Sequence, residues 1–383
     1  MPELMDEATP TVGVEEEFLL VDPISGAPVG RNAEVADAAR TLGIELQLEL
    51  TSCQIESSTG VHTESSTLAA ELRSLRTMVD KAARDCGARA IAVGAPPTVP
   101  HDFPVTDTPR YQRIAQRFGM LAHEQGVCGA HVHVGVPDRD TAVMMSNFLR
   151  PWLPILLALT ANSAIYRGAD TGFASWRSIL WQRWPSAGPP PYFDSADNYD
   201  AMVEIMLATG GILDPHMVYL DVRPSDQYST VEVRVSDVPA TVDETVLLAL
   251  LIRGIVTTAR TALRHGRTAP EIKGEALRAA YWAAAHNGLA GDAVDVVHER
   301  VLPAREMVAN LVDHVDDALD AAGDRAEVGA RLAEVWRSGN GAMRQVAAFG
   351  PDHDVAAVVA DATRATLIGC EPTPRQRSGS AGE

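Results

Sequence analysis

The chain has 383 residues, of which 46% are hydrophobic, so it is long enough to bury a large core. Its 51 acidic and 32 basic residues give a formal net charge of −19 at pH 7. So acidic a chain is a poor candidate for binding DNA, RNA or an anionic membrane, although metal ions still allow it to hold a small anion.

Targeting signals and cysteine spacing bear on the cellular compartment. The first ten residues, MPELMDEATP, have neither the basic start nor the apolar run of a signal peptide. The longest apolar runs, WLPILLALTA and VLLALLI, are too short to cross a bilayer. The four cysteines are far apart and form no C-x-x-C pair, which indicates reduced thiols. These features predict a soluble cytoplasmic protein with no membrane or nucleic-acid partner.

Strand-like and helix-like patterns alternate along the first two-thirds of the chain. The predicted strands are Val12–Val21, Ile44–Ile55, Ala90–Gly94, Ala130–Val136, Met217–Val222 and Thr230–Val235. The predicted helices between them are residues 67–87, Tyr111–Gln125 and Asp138–Tyr166, the last bent by two prolines. The proline-rich loop Arg183–Phe193 is either a rigid crossover or a wall of a ligand site.

From Thr241 onward the pattern is helical and rich in alanine. The predicted helices are residues 241–266, Pro270–Ala285, Asp292–Ala321, Arg325–Ser338 and Val355–Leu367. The polar, proline-bearing residues 371–383 are predicted to be disordered. We therefore expect one domain over residues 1–370, with an active-site sheet in residues 11–240 and a helical layer in residues 241–370.

The first strand places three consecutive glutamates inside an apolar run, TVGVEEEFLLVDP. Because alternate strand residues share a face, Glu15 and Glu17 point one way and Glu16 points the other way. Two like charges on one face repel each other, and burying either is costly without a partner. The pattern therefore predicts a cationic partner beside Glu15 and Glu17, or a solvated face.

Later strands also carry charge on one face. These residues are Glu45, Glu49, His131, His133, Asp221, Arg223, Glu232 and Arg234. Glu56 has the opposite parity from Glu49, so the two can share a site only if a bulge or turn lies near Thr51–Ser52.

This alternation is compatible with either a solvated face or a metal site. One wet face is ordinary in an antiparallel sheet, and a lone histidine pair suits either a zinc hydrolase or a satisfied polar pair. The set as a whole differs from an ordinary solvated face, because it combines carboxylates, histidine and arginine with almost no lysine. Carboxylates suit Mg²⁺ or Mn²⁺, and arginine suits a phosphoryl group, so the set indicates phosphoryl transfer. The chain has no glycine-rich nucleotide loop, so metal and arginine must hold any ATP phosphates.

Six segments together resemble the carboxylate–amine ligases, often named type-2 glutamate–cysteine ligases. They are GVEEEFLLVD, LELTSCQIESSTG, GAHVHVGV, TANSAIYRGADTGFASWRSILWQRWP, YLDVRPS and TVEVRVSD, within about residues 11–240. The resemblance implies an α+β fold similar to glutamine synthetase. In that fold a curved, mainly antiparallel β-sheet forms a funnel, and helices pack on its outer face.

The resemblance also implies roles for individual residues. The implied metal ligands are Glu15, Glu17, Glu49, Glu56, His131 and Glu232. The implied catalytic arginines are Arg177, Arg223 and Arg234, and the implied nucleotide contacts are His133 and Arg234. Cys53 lies in an acid-rich segment, where neighbouring carboxylates are expected to raise the pKa of its thiol and prevent a nucleophilic role.

The implied activity is ATP-dependent ligation with Mg²⁺ or Mn²⁺. A carboxylate such as that of glutamate would become an acyl phosphate and then react with an amine such as cysteine, with weak glutamate–cysteine ligase activity. A homodimer is also expected from the family. Two alternatives remain: a metal-dependent hydrolase built on His131 and His133, and a non-catalytic amino-acid-binding protein with the same fold.

Overall fold

The computed structural model describes residues 9–98 and 103–370 of the chain. Its strands are β1 Val12–Val21, β2 Gln47–Leu48, β3 Gln54–Ser58, β4 Arg89–Ile91, β5 Gly129–Gly135, β6 Ile165–Tyr166, β7 Ala169–Asp170, β8 Val222–Pro224, β9 Thr230–Asp237, β10 Asp292–Asp295 and β11 Arg300–Pro303. Its helices are α1 Asn32–Thr41, α2 Ser65–Asp85, α3 Pro109–Phe118, α4 Met120–His123, α5 Arg139–Leu149, α6 Leu153–Thr160, α7 Trp176–Trp181, α8 Ala196–Thr209, α9 Val242–Arg264, α10 Gly274–Asn287, α11 Ala304–His314, α12 Asp316–Ala322, α13 Arg325–Ser338, α14 Gly341–Phe349 and α15 Val355–Thr366.

Seven strands form the central sheet in the order β2-β3-β1-β5-β9-β8, with β4 paired to the end of β1. All of these pairings are antiparallel. An α+β fold with a mainly antiparallel sheet is therefore confirmed.

The two faces of the sheet differ in chemistry, as strand parity predicts. One face carries valines such as Val14, Val132 and Val233, which join a buried cluster with side chains of α5, α6 and α9. The opposite face carries the charged residues and lines a cavity. Helices thus cover one face, and the other remains available for chemistry.

The central helix of this layer is α9. It begins with a capping box, because the Thr241 hydroxyl accepts from the Glu244 N–H and the Glu244 carboxylate accepts from the Thr241 N–H. By length and composition α9 could cross a membrane, but 72% of its apolar window is buried inside the protein. Its position is that of a buried core helix.

Glu16, the glutamate that faces the helices, is fully buried against Arg76 of α2. Arg76 Nε lies 2.9 Å from Glu16 Oε2, and Arg76 Nη2 lies 2.6 Å from Glu16 Oε1. The same guanidinium donates to the carbonyls of Pro239, Ala240 and Thr366. Arg76 therefore ties β1 to the start of α9 and the end of α15.

Several element boundaries differ from the predictions. Residues predicted to form the first part of helix Asp292–Ala321 form the hairpin β10–β11, so that prediction was wrong there. The predicted strand Met217–Val222 is instead a short 3₁₀ turn followed by β8, which begins only at Val222. The predicted segment Asp138–Tyr166 is two helices, α5 and α6, that meet at an angle of 73° near Pro151.

The single domain over residues 1–370 stays a prediction. The predicted disordered segment, residues 371–383, lies outside the described residues.

Candidate active site

A cavity of about 600 Å³ opens on the charged face of the sheet. Its acidic, basic and histidine lining residues are Glu15, Glu17, Glu49, Glu56, Asp226, Glu232, Arg110, Arg223, Arg234, His131, His133 and His216. Every site residue predicted from the sequence except Arg177 is among them.

Strand register brings these side chains together. Glu17 pairs with Glu56 across β1 and β3, and Glu15 pairs with His131 across β1 and β5. His133 in turn pairs with Glu232 across β5 and β9. Directly opposed strand residues have Cβ atoms about 4.5–5.5 Å apart, so three cross-strand pairs build one continuous acidic surface.

Glu49 also lies on this surface. Its parity is opposite to that of Glu56, so a turn between the two residues is needed to bring them together, and the structure contains one. The predicted strand Ile44–Ile55 is divided by a turn at Ser52 and Cys53, which changes the parity between Glu49 and Glu56. The Thr106 hydroxyl donates to the Glu49 carbonyl at 2.5 Å and fixes the backbone there. Both carboxylates consequently line the cavity.

The two histidines contact Glu15 from alternate positions on β5. Their nearest ring nitrogens are His131 Nδ1, 2.9 Å from Glu15 Oε2, and His133 Nε2, 3.3 Å from Glu15 Oε1. Burial and the nearby Arg234 guanidinium lower the pKa of His131, which favours a neutral ring. His131 Nε2 is buried without a hydrogen-bond partner among the described residues, so it is available to a metal ion.

Two arginines converge on Glu232. Arg223 Nε donates to Glu232 Oε2 at 2.8 Å, and Arg234 Nη1 donates to Glu232 Oε1. Burial opposes ionisation of Glu232, but Arg234 and Arg223 hold the pKa of this carboxyl well below its usual range. Arg234 lies in a β-bulge, since residues 234 and 235 together oppose the single residue His131.

Metal-ligand geometry is present in three overlapping groups. They are Glu15–Glu56–His131, Glu15–His133–Glu232 and Glu17–Glu49–Glu56, and within each group one ligand atom per residue lies within 4.8 Å of the others. Burial and then the Glu17 charge raise the pKa of Glu49 to about 8. Burial and then the Glu15 charge raise the pKa of Glu56. Clustered carboxylates and an unpartnered histidine nitrogen fit a divalent cation.

Glu56→Gln is expected to stabilise the protein without metal and to weaken its response to metal. The folded-state pKa of Glu56 is raised, so wild type loses stability as the pH rises above the ordinary value of 4.5. A glutamine avoids that loss but removes a ligand atom from two of the three groups. Thermal unfolding of chelator-treated protein near pH 5 and above pH 8, with and without Mg²⁺, measures both effects.

Exposed Glu45 supplies the matched control, because Glu45→Gln removes the same charge outside the cavity. A Glu56→Gln protein whose midpoint rises with Mg²⁺ as much as that of wild type would contradict the assignment.

Arg177 was predicted to be a catalytic arginine, but it is buried and is not among the residues that line the cavity. Its guanidinium lies against Gly129, where a Cβ would come within 2.3 Å of Nη2. It also lies 5.5 Å from the ring centroid of Trp181, which does line the cavity. Arg177 therefore supports the wall and does not contact the cavity directly.

The loop Arg183–Phe193 acts mainly as a crossover. Trp184 reaches the cavity, whereas residues 185–193 are absent from the described lining. Arg150 donates to the Pro190 carbonyl, and Asn147 pairs with the backbone of Phe193, so α5 and the residue after it hold the loop.

Sequence reasoning missed one end of the cavity. Its lining residues there include Arg110, Tyr111, Gln125, Trp181, Trp184 and Tyr219. The segment WRSILWQRWP belongs to one of the segments that resemble the family, and its tryptophan spacing is the signal in the sequence that indicates this wall. The Cys53 thiol is inert for a different reason from the predicted one, because burial, and not neighbouring carboxylates, raises its pKa to about 12.

Solved structures share this architecture. A bifunctional glutathione synthetase from Pasteurella multocida aligns with a TM-score of 0.66 and 15% identity over 94% of this chain and 52% of that one. A glutamate–cysteine ligase from Francisella tularensis, solved in complex with AMP, aligns with a TM-score of 0.65 and 12% identity over 95% and 89%. At this identity the likeness shows the fold, which is that of the glutamine-synthetase-like ligases, as predicted.

Sequence comparison places the chain within one branch of these ligases. The model of glutamate–cysteine ligase family 2 matches residues 11–361. A Nocardia farcinica protein provisionally named glutamate–cysteine ligase 2-1 is 63% identical over 97% of both chains. The chain belongs to glutamate–cysteine ligase family 2, and the predicted resemblance is confirmed.

Proposed function

We propose that this protein is an ATP-dependent carboxylate–amine ligase. The observation that carries the proposal is a single cavity in which five glutamates, two histidines and two arginines meet on one sheet face. Transfer of a phosphoryl group needs charge neutralisation and alignment, and this set of side chains is suited to both.

Divalent metal is part of the proposal. Glu232 is paired with two arginines. The other four glutamates therefore have much less positive charge beside them; they are Glu15, Glu17, Glu49 and Glu56. Two Mg²⁺ or Mn²⁺ ions would balance these four carboxylates. When bound, such ions neutralise phosphate charge and orient the reacting oxygens.

The arginines and His133 are proposed to hold phosphate. Arg223 and Arg234 are buried, lie on neighbouring strands and have donors directed toward the same carboxylate. Two guanidinium groups that converge on one carboxylate can also bind the oxygens of a phosphoryl group through paired hydrogen bonds. His133 lies next to Glu15 and farther along β5, with Nδ1 3.0 Å from the Thr230 hydroxyl.

Two steps complete the proposed reaction. A substrate carboxylate oxygen attacks the γ-phosphorus of ATP, giving an acyl phosphate and releasing ADP. The amine nitrogen then attacks the acyl carbon, loses a proton and expels inorganic phosphate, which leaves an amide. The side chains of the cavity position the reactants and stabilise charge, and none forms a covalent bond.

The buried thiols fit a reaction without a protein nucleophile. Burial raises the pKa of Cys53 to about 12 and raises that of Cys128 well above its usual range. Both residues are almost completely buried. Neither thiol is a useful nucleophile near neutral pH.

A hydrolase centred on His131 and His133 is the weaker alternative. Both rings contact Glu15, and three more glutamates surround that carboxylate, so oxygen ligands outnumber nitrogen ligands. Such a set suits Mg²⁺ or Mn²⁺ better than a hydrolytic zinc ion. Membership of a ligase family further disfavours this alternative and the non-catalytic one.

The first test measures ADP and phosphate release by purified protein supplied with Mg²⁺, ATP, glutamate and cysteine. Glutamate and cysteine are proposed because the family and its relatives are named for them. Release that requires both amino acids, with a γ-glutamylcysteine mass in the product, is the expected result. Release with glutamate alone would keep acyl-phosphate formation and redirect the search to other amines. Absence of nucleotide turnover with any carboxylate and amine pair would contradict the ligase.

The compartment and assembly state belong to the same proposal. We propose a cytoplasmic enzyme that acts on small molecules and forms a homodimer. The cytoplasm is reducing, which suits four cysteines that form no disulfide. It also supplies the ATP that the proposed reaction consumes. Sedimentation analysis of the full chain tests the dimer.

A further inference from the structure

Gln54 lies between the chain segments that carry one of the metal-competent groups, which we call the all-oxygen group: Glu17, Glu49 and Glu56. Gln54 is the first residue of β3, two positions before Glu56, and it lines the cavity although it is only 3% exposed. The turn that separates Glu49 from Glu56 ends just before it. Its side chain is neutral, so its role depends on the contacts that it makes.

The side-chain amide of Gln54 has a fixed orientation. The Val127 carbonyl can only accept a hydrogen bond, so Gln54 Nε2 donates to it, at 2.6 Å. The same nitrogen lies 3.5 Å from Cys128 Sγ, a second and weaker acceptor. Gln54 Oε1 accepts from the Thr51 hydroxyl at 2.7 Å, and Thr51 is fully buried. Both ends of the amide are thus engaged inside the protein, which leaves no N–H of this side chain for a substrate.

The nitrogen end of this amide holds the segment that orients Glu17. Val127 precedes β5, which begins at Gly129, so the Val127 carbonyl lies outside the strand and is held by Gln54. Two positions further on, the Gly129 N–H donates to Glu17 Oε2 at 2.6 Å. Displacement of Val127 would therefore move that N–H, and the Glu17 carboxylate would move with it.

The oxygen end of the amide holds the turn between Glu49 and Glu56. Thr51 lies two positions after Glu49, and Gln54 binds it twice: through the two side chains, and through the Gln54 backbone N–H, which donates to the Thr51 carbonyl at 3.1 Å. Three carboxylates in one group repel each other until a cation binds, so their spacing has to come from the backbone that supports them. Gln54 joins the supports of all three, namely the turn, the start of β3 and the segment before Gly129.

We propose that Gln54 is a positioning residue for a divalent cation bound by the all-oxygen group. It sets the spacing of the three carboxylates through the backbone that carries or orients them, and it contacts neither the cation nor a substrate. Removal of a group that supports metal ligands in this way typically lowers metal affinity by about 10- to 100-fold. The inference rests on the metal part of the proposed function and deepens it, because it assigns a role to a residue that is not itself a ligand.

The test measures binding of Mn²⁺ to the nucleotide-free protein, from the electron paramagnetic resonance signal of the free ion. Gln54→Met keeps the length of the side chain but removes both of its hydrogen-bonding ends, so it should weaken one class of Mn²⁺ sites by about 10- to 100-fold. Thr51→Val removes only the hydroxyl and should cause a smaller loss. Thr51→Ser keeps the hydroxyl and should bind Mn²⁺ as wild type does. Gln116→Met makes the matched replacement at an exposed position of α3, outside the cavity, and should have no effect.

Steady-state kinetics provide a second readout. In Gln54→Met the Mg²⁺ concentration that gives half-maximal ADP release should rise by about 10-fold or more, and saturating Mg²⁺ should restore much of kcat. The KM values for glutamate and cysteine should change little, because Gln54 has no N–H left for either substrate. A direct contact with a substrate would instead raise the KM for that amino acid at every Mg²⁺ concentration.

Unchanged Mn²⁺ affinity in folded Gln54→Met and Thr51→Val would overturn the positioning role, even if both variants lost stability. If Gln54→Met does not fold, the comparison of Thr51→Val with Thr51→Ser maintains the test. Wild-type protein that binds no Mn²⁺ would overturn the metal assignment and the positioning role together. Weakened Mn²⁺ binding in the variants of a protein that turns over no ATP would support the positioning role and contradict only the ligase, so the two failures are distinguishable.

Discussion

Glu15→Gln is expected to lower amide formation by roughly 100-fold or more while the protein stays folded. Glu15 belongs to two of the three metal-competent groups and contacts both His131 and His133. Glutamine preserves the shape of the side chain but supplies only one oxygen and no charge. Burial opposes ionisation of Glu15, but hydrogen bonds with His131 and His133 hold the pKa of this carboxyl below its usual range, so loss of the charge should lower the denaturant concentration needed for unfolding.

Product formation with saturating Mg²⁺ and ATP, together with urea unfolding, tests both parts. Full activity in folded Glu15→Gln would refute the metal assignment. Glu45→Gln is the matched control, since Glu45 lies on an exposed part of the chain outside the cavity.

Glu232→Gln should lose more stability than Glu15→Gln, because its partners are two buried guanidinium groups and those of Glu15 are two histidines. Glu232 compensates the buried guanidinium groups of Arg223 and Arg234. Its neutralisation removes their shared partner, so we expect lower stability as well as lower activity. The two glutamates are equivalent in strand parity, and only their contacts separate these outcomes.

Arg76→Met is expected to cost about 3–5 kcal/mol of the free energy of unfolding. The substitution leaves the Glu16 carboxylate buried, with only the Thr245 hydroxyl still donating to it among the described contacts. It also removes the donors to the carbonyls of Pro239, Ala240 and Thr366. Equilibrium unfolding in urea, with the midpoint and slope both fitted, gives the loss.

The double variant Glu16→Leu with Arg76→Met is the informative companion. It removes both charges, so it should lose less stability than Arg76→Met alone. Lys81→Met breaks a solvent-exposed pair with Asp85 on the same helix and should change stability little. A double variant less stable than Arg76→Met would show that the unpaired charge is not the main cost.

Strand parity predicted most of the charged cavity because it is a local property. Glu15 and Glu17 share a face simply because they are two positions apart in a strand, and the same holds for His131 and His133. Glu49 and Glu56 needed a turn, and the sequence indicated where it had to lie. The ion pair of Glu16 and Arg76 joins residues 60 apart, which no local period encodes.

Other features were missed for comparable reasons. The hairpin β10–β11 lies in an alanine-rich region whose general helical character masked two short strands. Gln125 lies in an irregular segment before β5, so its burial and its free Nε2 depend on long-range packing. Resemblance placed Arg177 near ligand, but the structure shows it behind Trp181.

The charged part and the aromatic part of the cavity lie on different types of secondary structure. The charged groups project from paired strands, where a slip of one residue would turn them toward the helices. Gln125, Trp181 and Trp184 instead come from a loop, a short helix and the segment that follows it. Replacements at these three positions leave the hydrogen bonds between the strands in place. The aromatic wall can therefore vary between related proteins while the charged face keeps its register.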